Sequence, residues 1–219
     1  RVAALIEYND HNFVIDCGPD FRQQMLNVGI KTIDGILFTH EHADHTAGLD
    51  DIRPFYFKQG DIPIYAHERV VKALKERFAY IFETKNKYPG APGVVCHEIE
   101  NKPFTLGNLT IVPVNGMHYQ LQVFGYRFHD FAYLTDFKTI EEEEIKKLEG
   151  VKVLVLNALR EKEHISHFTL QQALDLIERI HPERAYLTHI SHYLGFHDEV
   201  EQKLPKNVFL AYDNLQITV

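Results

Sequence analysis

No stretch of this 219-residue sequence is apolar for long enough to span a membrane, and no signal peptide is visible. Cysteine is scarce: Cys17 and Cys96 lie far apart and form no C-x-x-C pair. That usage fits a reducing compartment better than a disulfide framework, although it leaves a single bridge open, and a cytoplasmic location is the expectation. Positive charge is in deficit, with 23 Lys and Arg against 31 Asp and Glu and a net charge of −8. Long nucleic acids are held mainly by clustered cations, so extended nucleic-acid binding is not expected, whereas a small substrate is. Internal repeats and linkers are absent as well, and residues 1–219 read as a single domain. There is no initiator Met; the chain opens at Arg1 directly into a strand pattern, and its beginning is expected to be missing.

What is present is ordinary apart from histidine. A hydrophobic content of 45% with 25% charged residues is typical of a soluble domain able to bury a substantial core. The chain carries 14 histidines, and His40, His42, His45, His118, His164, His167, His189 and His192 fall in loops after apolar strands.

The elements are read from periodicity and turn residues. Val2 to Tyr8 and Phe13 to Cys17 form a hairpin, Phe21 to Val28 a short helix, and Ile33 to Thr39 a buried strand. Thr46 to Asp51 forms the first turns of a helix stopped near Pro54, Ile62 to Ala66 is a strand, and Glu68 to Phe82 is an amphipathic helix presenting Val71, Leu74, Phe78 and Ile81. Strands follow at Val94 to Ile99, Phe104 to Leu106, Leu109 to Val114, Val123 to His129 and Phe131 to Thr135. The C-terminal third alternates the charged helix Glu141 to Leu148, strand Lys152 to Leu156, helix Thr169 to Ile180 with Leu170, Ala173, Leu174 and Ile177 on one face, strand Ala185 to Thr188, a helix around Val200 to Leu204, and strands Val208 to Tyr212 and Leu215 to Val219. A strand-rich centre with strand–helix alternation at both ends predicts an α/β (α+β) protein, two mixed sheets sandwiched between helices.

Thr39-His40-Glu41-His42-Ala43-Asp44-His45 organises the chain. Transition metals favour neutral imidazole with some carboxylate, and this H-x-H-x-D-H spacing lets alternate residues face two neighbouring positions. Further polar residues stand where strands end: His118, Asp136 and His189, with His167 ahead of a helix. Together they supply two coordination sets, His40, His42 and His118 for one metal and Asp44, His45 and His189 for the other, with Asp136 bridging. Glu41 and Ala43 point away.

T-H-x-H-x-D-H, a later lone His, a Thr-Asp and a strand ending in Thr-His resemble the metallo-β-lactamase fold hydrolases. Gly48-Leu49-Asp50-Asp51-Ile52-Arg53-Pro54, Ala158-Leu159-Arg160, His167-Phe168-Thr169 and Leu187-Thr188-His189-Ile190-Ser191-His192 are similar to the branch containing the cyclic phosphodiesterase of the carbon–phosphorus lyase pathway. The resemblance implies an αββα sandwich with two divalent ions, Zn or Mn, and attack on a small phosphate ester by a hydroxide bridging them. It also implies His167 as the general acid for the leaving alkoxide, forming with the ligands Asp136 and Asp44 the expected catalytic set. Arg53 and Arg160 suit forked phosphate contacts or ordinary ion pairs equally. His192 and His164 either line the pocket or face solvent, and Asp16 either fixes a ligand His tautomer or caps a turn.

The pattern departs from the branch at Asn157, where Asp is usual, and at Asn214, where Gly is usual. The branch's opening strand with its Gly-rich loop, and the Cys-rich zinc site that some members carry, would lie before Arg1, so the sequence is expected to be a fragment or an ordered part of a longer protein. tRNA 3′-end endonucleases share the metal motif, but the Thr84 to Gly93 loop is short and Lys72, Lys75, Arg77, Lys85 and Lys87 make only a modest basic patch. Lactam, lactone or thioester hydrolysis is a third reading. A non-catalytic metal-stabilised module is disfavoured because all seven ligand positions are filled. Homodimerisation is left open.

Overall fold

The computed structural model describes residues 2–219; Arg1 lies outside the described residues. Two compact units divide after Glu100. The N-terminal unit holds a five-stranded mixed sheet in the order of its sequence: β1 (Ala4–Tyr8), β2 (His11–Ile15), β3 (Gly35–Leu37), β4 (Ile62–Ala66) and β5 (Val94–Glu98). β1 and β2 form the antiparallel hairpin, turned through Asn9 and Asp10, both at positive φ. Every later pairing is parallel. The helices of this unit are α1 (Phe21–Val28), α2 (Ala43–Thr46), α3 (Arg53–Gln59), α4 (Glu68–Arg77) and α5 (Ala79–Phe82).

The C-terminal unit holds seven strands: β6 (Phe104–Leu106), β7 (Leu109–His118), β8 (Leu121–Phe128), β9 (Phe131–Leu134), β10 (Val153–Asn157), β11 (Arg184–Thr188) and β12 (Val208–Leu210), in the order β12-β11-β10-β9-β8-β7-β6. β6 to β9 run as an antiparallel meander and β9 to β12 are parallel neighbours. Parallel strands need crossovers, and α6 (Glu142–Lys146), α7 (Leu170–Ile180) and α8 (His197–Glu201) supply them. The chain therefore contains the two mixed sheets with helices that its sequence predicts.

Each unit has its own apolar core. In the first, Val14, Ile36, Phe38 and Ile64 pack against Phe21, Val71 and Leu74, with Cys17 buried among them. In the second, Leu134, Leu154, Leu156 and Leu187 pack against Ala173, Leu176 and Ile177 of α7. α7 starts at a capping box, with Thr169 Oγ1 accepting from the Gln172 N–H and Gln172 Oε1 accepting from the Thr169 N–H.

Several expectations need correction. The long amphipathic helix is two helices, because Phe78 leaves the helical region at φ −120°, although its four apolar positions are all buried as expected. The helix after the histidine motif begins inside the motif, at Ala43, and ends at Thr46; Pro54 stops no helix but lies in the first turn of α3, where its missing N–H costs nothing. The buried face of α7 runs through Ala173, Leu176, Ile177 and Ile180, with Leu170 and Leu174 only partly covered. The C-terminal helix falls at His197–Glu201, and residues 215–219 form no strand. Both cysteines are free thiols.

Candidate metal centre

β3 is wholly buried and delivers Thr39 and His40, also buried, to the end of the first sheet. Asp16, at the end of the neighbouring β2, fixes the turn. Its Oδ1 accepts from the Thr39 N–H and its Oδ2 from the Thr39 hydroxyl, each at 2.8 Å. A hydroxyl has one proton, so Thr39 Oγ1 must accept from His40 Nδ1, 3.0 Å away. That puts the lone pair of His40 on Nε2, 3.0 Å from His42 Nδ1. Nitrogens ligating one tetrahedral zinc at about 2.0–2.1 Å stand roughly 3.3 Å apart, so this spacing fits a shared cation.

Asp16 Oδ2 also receives His45 Nδ1 at 2.7 Å, and both side chains are fully buried. The pair fixes the tautomer of His45 and turns Nε2 toward Asp44 Oδ2, 3.4 Å away. Burial pushes the Asp16 carboxyl up, and the neighbouring His45 opposes that rise. Asp16 holds a left-handed backbone, φ 60°, which an aspartate tolerates better than most residues.

The motif is braced from two sides. The Cys17 N–H donates to the His45 carbonyl and the Gly48 N–H to the Cys17 carbonyl, both at 2.8 Å. The approach requires a glycine at 18, where a Cβ would stand 2.1 Å from the Asp44 carbonyl oxygen. From α4, Arg69 pairs with the Glu41 carboxylate, while Arg77 reaches the Glu41 carbonyl at 3.1 Å and the Thr46 hydroxyl. Glu41 thus points away from the other motif side chains, as expected.

In the second unit, Asp136 follows β9, 1% exposed and left-handed at φ 63°. Its Oδ1 accepts from the Thr135 hydroxyl at 2.8 Å and lies 3.1 Å from His189 Nε2. A ligand atom of His118 also lies within 4.8 Å of one on Asp136, so the carboxylate stands near both histidines. His118 donates from Nδ1 to the Ser166 carbonyl at 2.7 Å, placing its lone pair on Nε2. His189, after β11, is left-handed too, at φ 53°. Strain of this kind, costing about 1–3 kcal/mol per residue, concentrates at functional sites.

His167 is packed among imidazoles, its ring centroid 4.5 Å from that of His118, 4.7 Å from His189 and 5.1 Å from His164. Its Nδ1 is buried without a hydrogen-bond partner. Desolvation drives its pKa down to about 3, with His189, His118 and His164 adding to the drop and Asp136 opposing it. The imidazole is neutral at ordinary pH.

Three residues weighed as substrate contacts have other engagements. Arg53 spends its Nη2 on both oxygens of Asp50 at 2.9 Å. Arg160 donates to the carbonyls of Lys162 (3.1 Å) and Glu163 (2.7 Å). His192 is exposed, its ring 3.9 Å from that of Tyr193. Sequence reasoning missed Thr39, Thr135 and Ser166 as partners of the candidate ligands. Two of these precede a candidate ligand directly, a position that could have drawn attention to them.

Residues 11–190 match the family model described as the beta-lactamase superfamily domain. The chain belongs to the beta-lactamase superfamily. A solved superfamily relative described as a new diphosphatase from the PhnP family superposes with a TM-score of 0.91 at 37% identity, covering 98% of this chain and 83% of that one. A Porphyromonas gingivalis protein named octanoyltransferase is 40% identical over 208 residues, 94% of this chain and 42% of its own length. Ribonuclease Z of Bacillus velezensis is 29% identical over 131 residues, 58% of this chain and 41% of that protein. The chain thus spans less than half the length of both curated relatives, and the metallo-β-lactamase fold expected from its motifs is the fold it has.

Proposed function

We propose that this chain is a metal-dependent hydrolase cleaving a small phosphate ester, with a diester as its substrate class. By the sequence pattern, His40, His42, His118 and Asp136 would hold one divalent ion, and Asp44, His45, His189 and the shared Asp136 a second, Zn or Mn. The observation that carries this reading is the tautomer control. His40, His45 and His118 each commit Nδ1 to a protein oxygen, which leaves Nε2 as the ligating nitrogen. When bound, two such ions lower the pKa of water and neutralise charge on phosphoryl oxygens.

His167 is assigned to the proton that the leaving group needs. Its imidazole is neutral in the substrate-free protein, and an anion beside it raises its affinity for a proton, as Asp136 already does. Phosphate arrival and protonation are therefore coupled. A cytoplasmic location accompanies this reading; among the described residues no helix is long and apolar enough to cross a membrane.

A second reading is thioester hydrolysis, since ions that neutralise a phosphoryl oxygen also polarise a carbonyl. It is favoured by the 40% identity to the protein named octanoyltransferase, of which this chain spans 42%. Hydrolysis of bis-p-nitrophenyl phosphate, an octanoyl thioester and a chromogenic lactam, after metal removal and restoration, separates the two. Metal-dependent cleavage of the diester alone is expected. Cleavage of only the carbonyl substrates would transfer the assignment to the second reading.

A further inference from the structure

We propose that Asn157 is a positioning residue for Asp136 and His167, its one side chain supplying both a donor and an acceptor; the consequence for metal rests on the ligand set proposed above. Asn157 ends β10 and is fully buried. Its Oδ1 accepts from the Phe137 N–H at 2.7 Å, and its Nδ2 donates to the Phe137 carbonyl at 3.0 Å. One side chain therefore satisfies both backbone groups of the residue that follows Asp136.

The same Phe137 carbonyl accepts from the Phe168 N–H at 2.9 Å, and Phe168 follows His167. The Phe137 ring rests on Gly116, where a Cβ would come within 2.4 Å of it, and the Met117 N–H donates to Thr139 at 2.9 Å. His118 comes next in that strand. On its other side Asn157 is in register with Thr188, and the Ala158 N–H donates to the Thr188 carbonyl at 3.0 Å, one residue before His189. Asn157 and Phe137 thus stand where the segments bearing His118, Asp136, His167 and His189 meet.

An ionised carboxylate accepts but cannot donate, so an ionised aspartate at 157 would set a buried negative oxygen against the Phe137 carbonyl. A buried polar group left opposed in this way costs more than the hydrogen bond itself. Asp136 has particular need of the restraint, because its left-handed backbone is held from the Phe137 side by this pair of bonds.

The test compares Asn157→Asp and Asn157→Ala with Leu154→Ala, a fully buried core change on the same strand. Amide hydrogen exchange at Phe137 and Phe168 is read in the metal-free protein, and Mn²⁺ and Zn²⁺ affinities are read by titration. Faster exchange at both amides is expected in the two Asn157 variants, with metal affinity about 10–100-fold weaker. Leu154→Ala should lower the melting temperature without moving either readout at the site. Asn157 variants that exchange and bind metal like the wild type overturn the proposal, as does an equal loss of metal affinity in Leu154→Ala. A wild-type protein that takes up no metal defeats the ligand set instead, and the exchange rates then decide alone whether Asn157 clamps the segment.

Discussion

A histidine ligates through one nitrogen only when its proton is kept on the other, and Asp16 provides that control twice, directly for His45 and through Thr39 for His40. It accepts three hydrogen bonds with two oxygens. Asparagine has a single acceptor oxygen, so Asp16→Asn should weaken metal binding by about 10–100-fold, read by competition with a chromophoric chelator; unchanged affinity would remove Asp16 from the account. His167 makes a prediction about pH. Its folded pKa, about 3, lies below its ordinary value of 6.5, so below pH 6.5 the unfolded chain takes up the proton that the folded chain refuses. The stability of the metal-free protein should be full above that pH and fall as pH drops from about 6.5 toward 3. His167→Gln should flatten that stretch of a urea-denaturation profile, and an identical slope in the variant would contradict the assignment. The candidate ligands were legible because type and spacing lie within a few adjacent residues. Asp16 was legible as one of two alternatives, a tautomer-fixing partner or a turn cap, and its contact with His45 bears out the first; Thr39 and Ser166 were not, since Thr39 relays from Asp16 across 23 positions and Ser166 contributes only a backbone carbonyl.

At the scale of the element, the histidine motif is a strand end and a helix start held by close backbone approach. Cys17, Gly18 and Gly48 make that approach possible. Gly18→Ala would set a methyl group 2.1 Å from the Asp44 carbonyl oxygen, and relief requires the motif itself to shift. Overpacking of this kind costs about 1–3 kcal/mol, so thermal denaturation should show a clear loss and metal titration a weaker ligand set. A variant with wild-type behaviour in both would show that the brace is dispensable. The sequence legibly placed most strands and the apolar face of α4, because burial imposes a period. It concealed the break at Phe78 and the start of α2 at Ala43, since a period continues through a local change of dihedral angle and a helix can begin within a run of ligand residues. Arg77, read as part of a basic surface patch, instead reaches Glu41 and Thr46; a sequence shows charge and not direction.

For the whole molecule, the two sheets and the superfamily were both legible, the first from alternating strands and helices and the second from the histidine motif. Substrate class was not, because it depends on side chains that the fold can engage elsewhere, as Arg53 and Arg160 show. This chain is similar to proteins with three different printed activities, so function has to be argued from the site. The central claim is that seven side chains hold two catalytic ions through one shared carboxylate. The most direct test titrates metal-free wild type and Asp136→Ala with Mn²⁺ or Zn²⁺, counting bound ions while following diester hydrolysis. The account predicts two ions per wild-type chain, activity that rises with occupancy of both, and loss of tight binding at both positions in Asp136→Ala. Full activity without metal, or two tightly bound ions in Asp136→Ala, would contradict it.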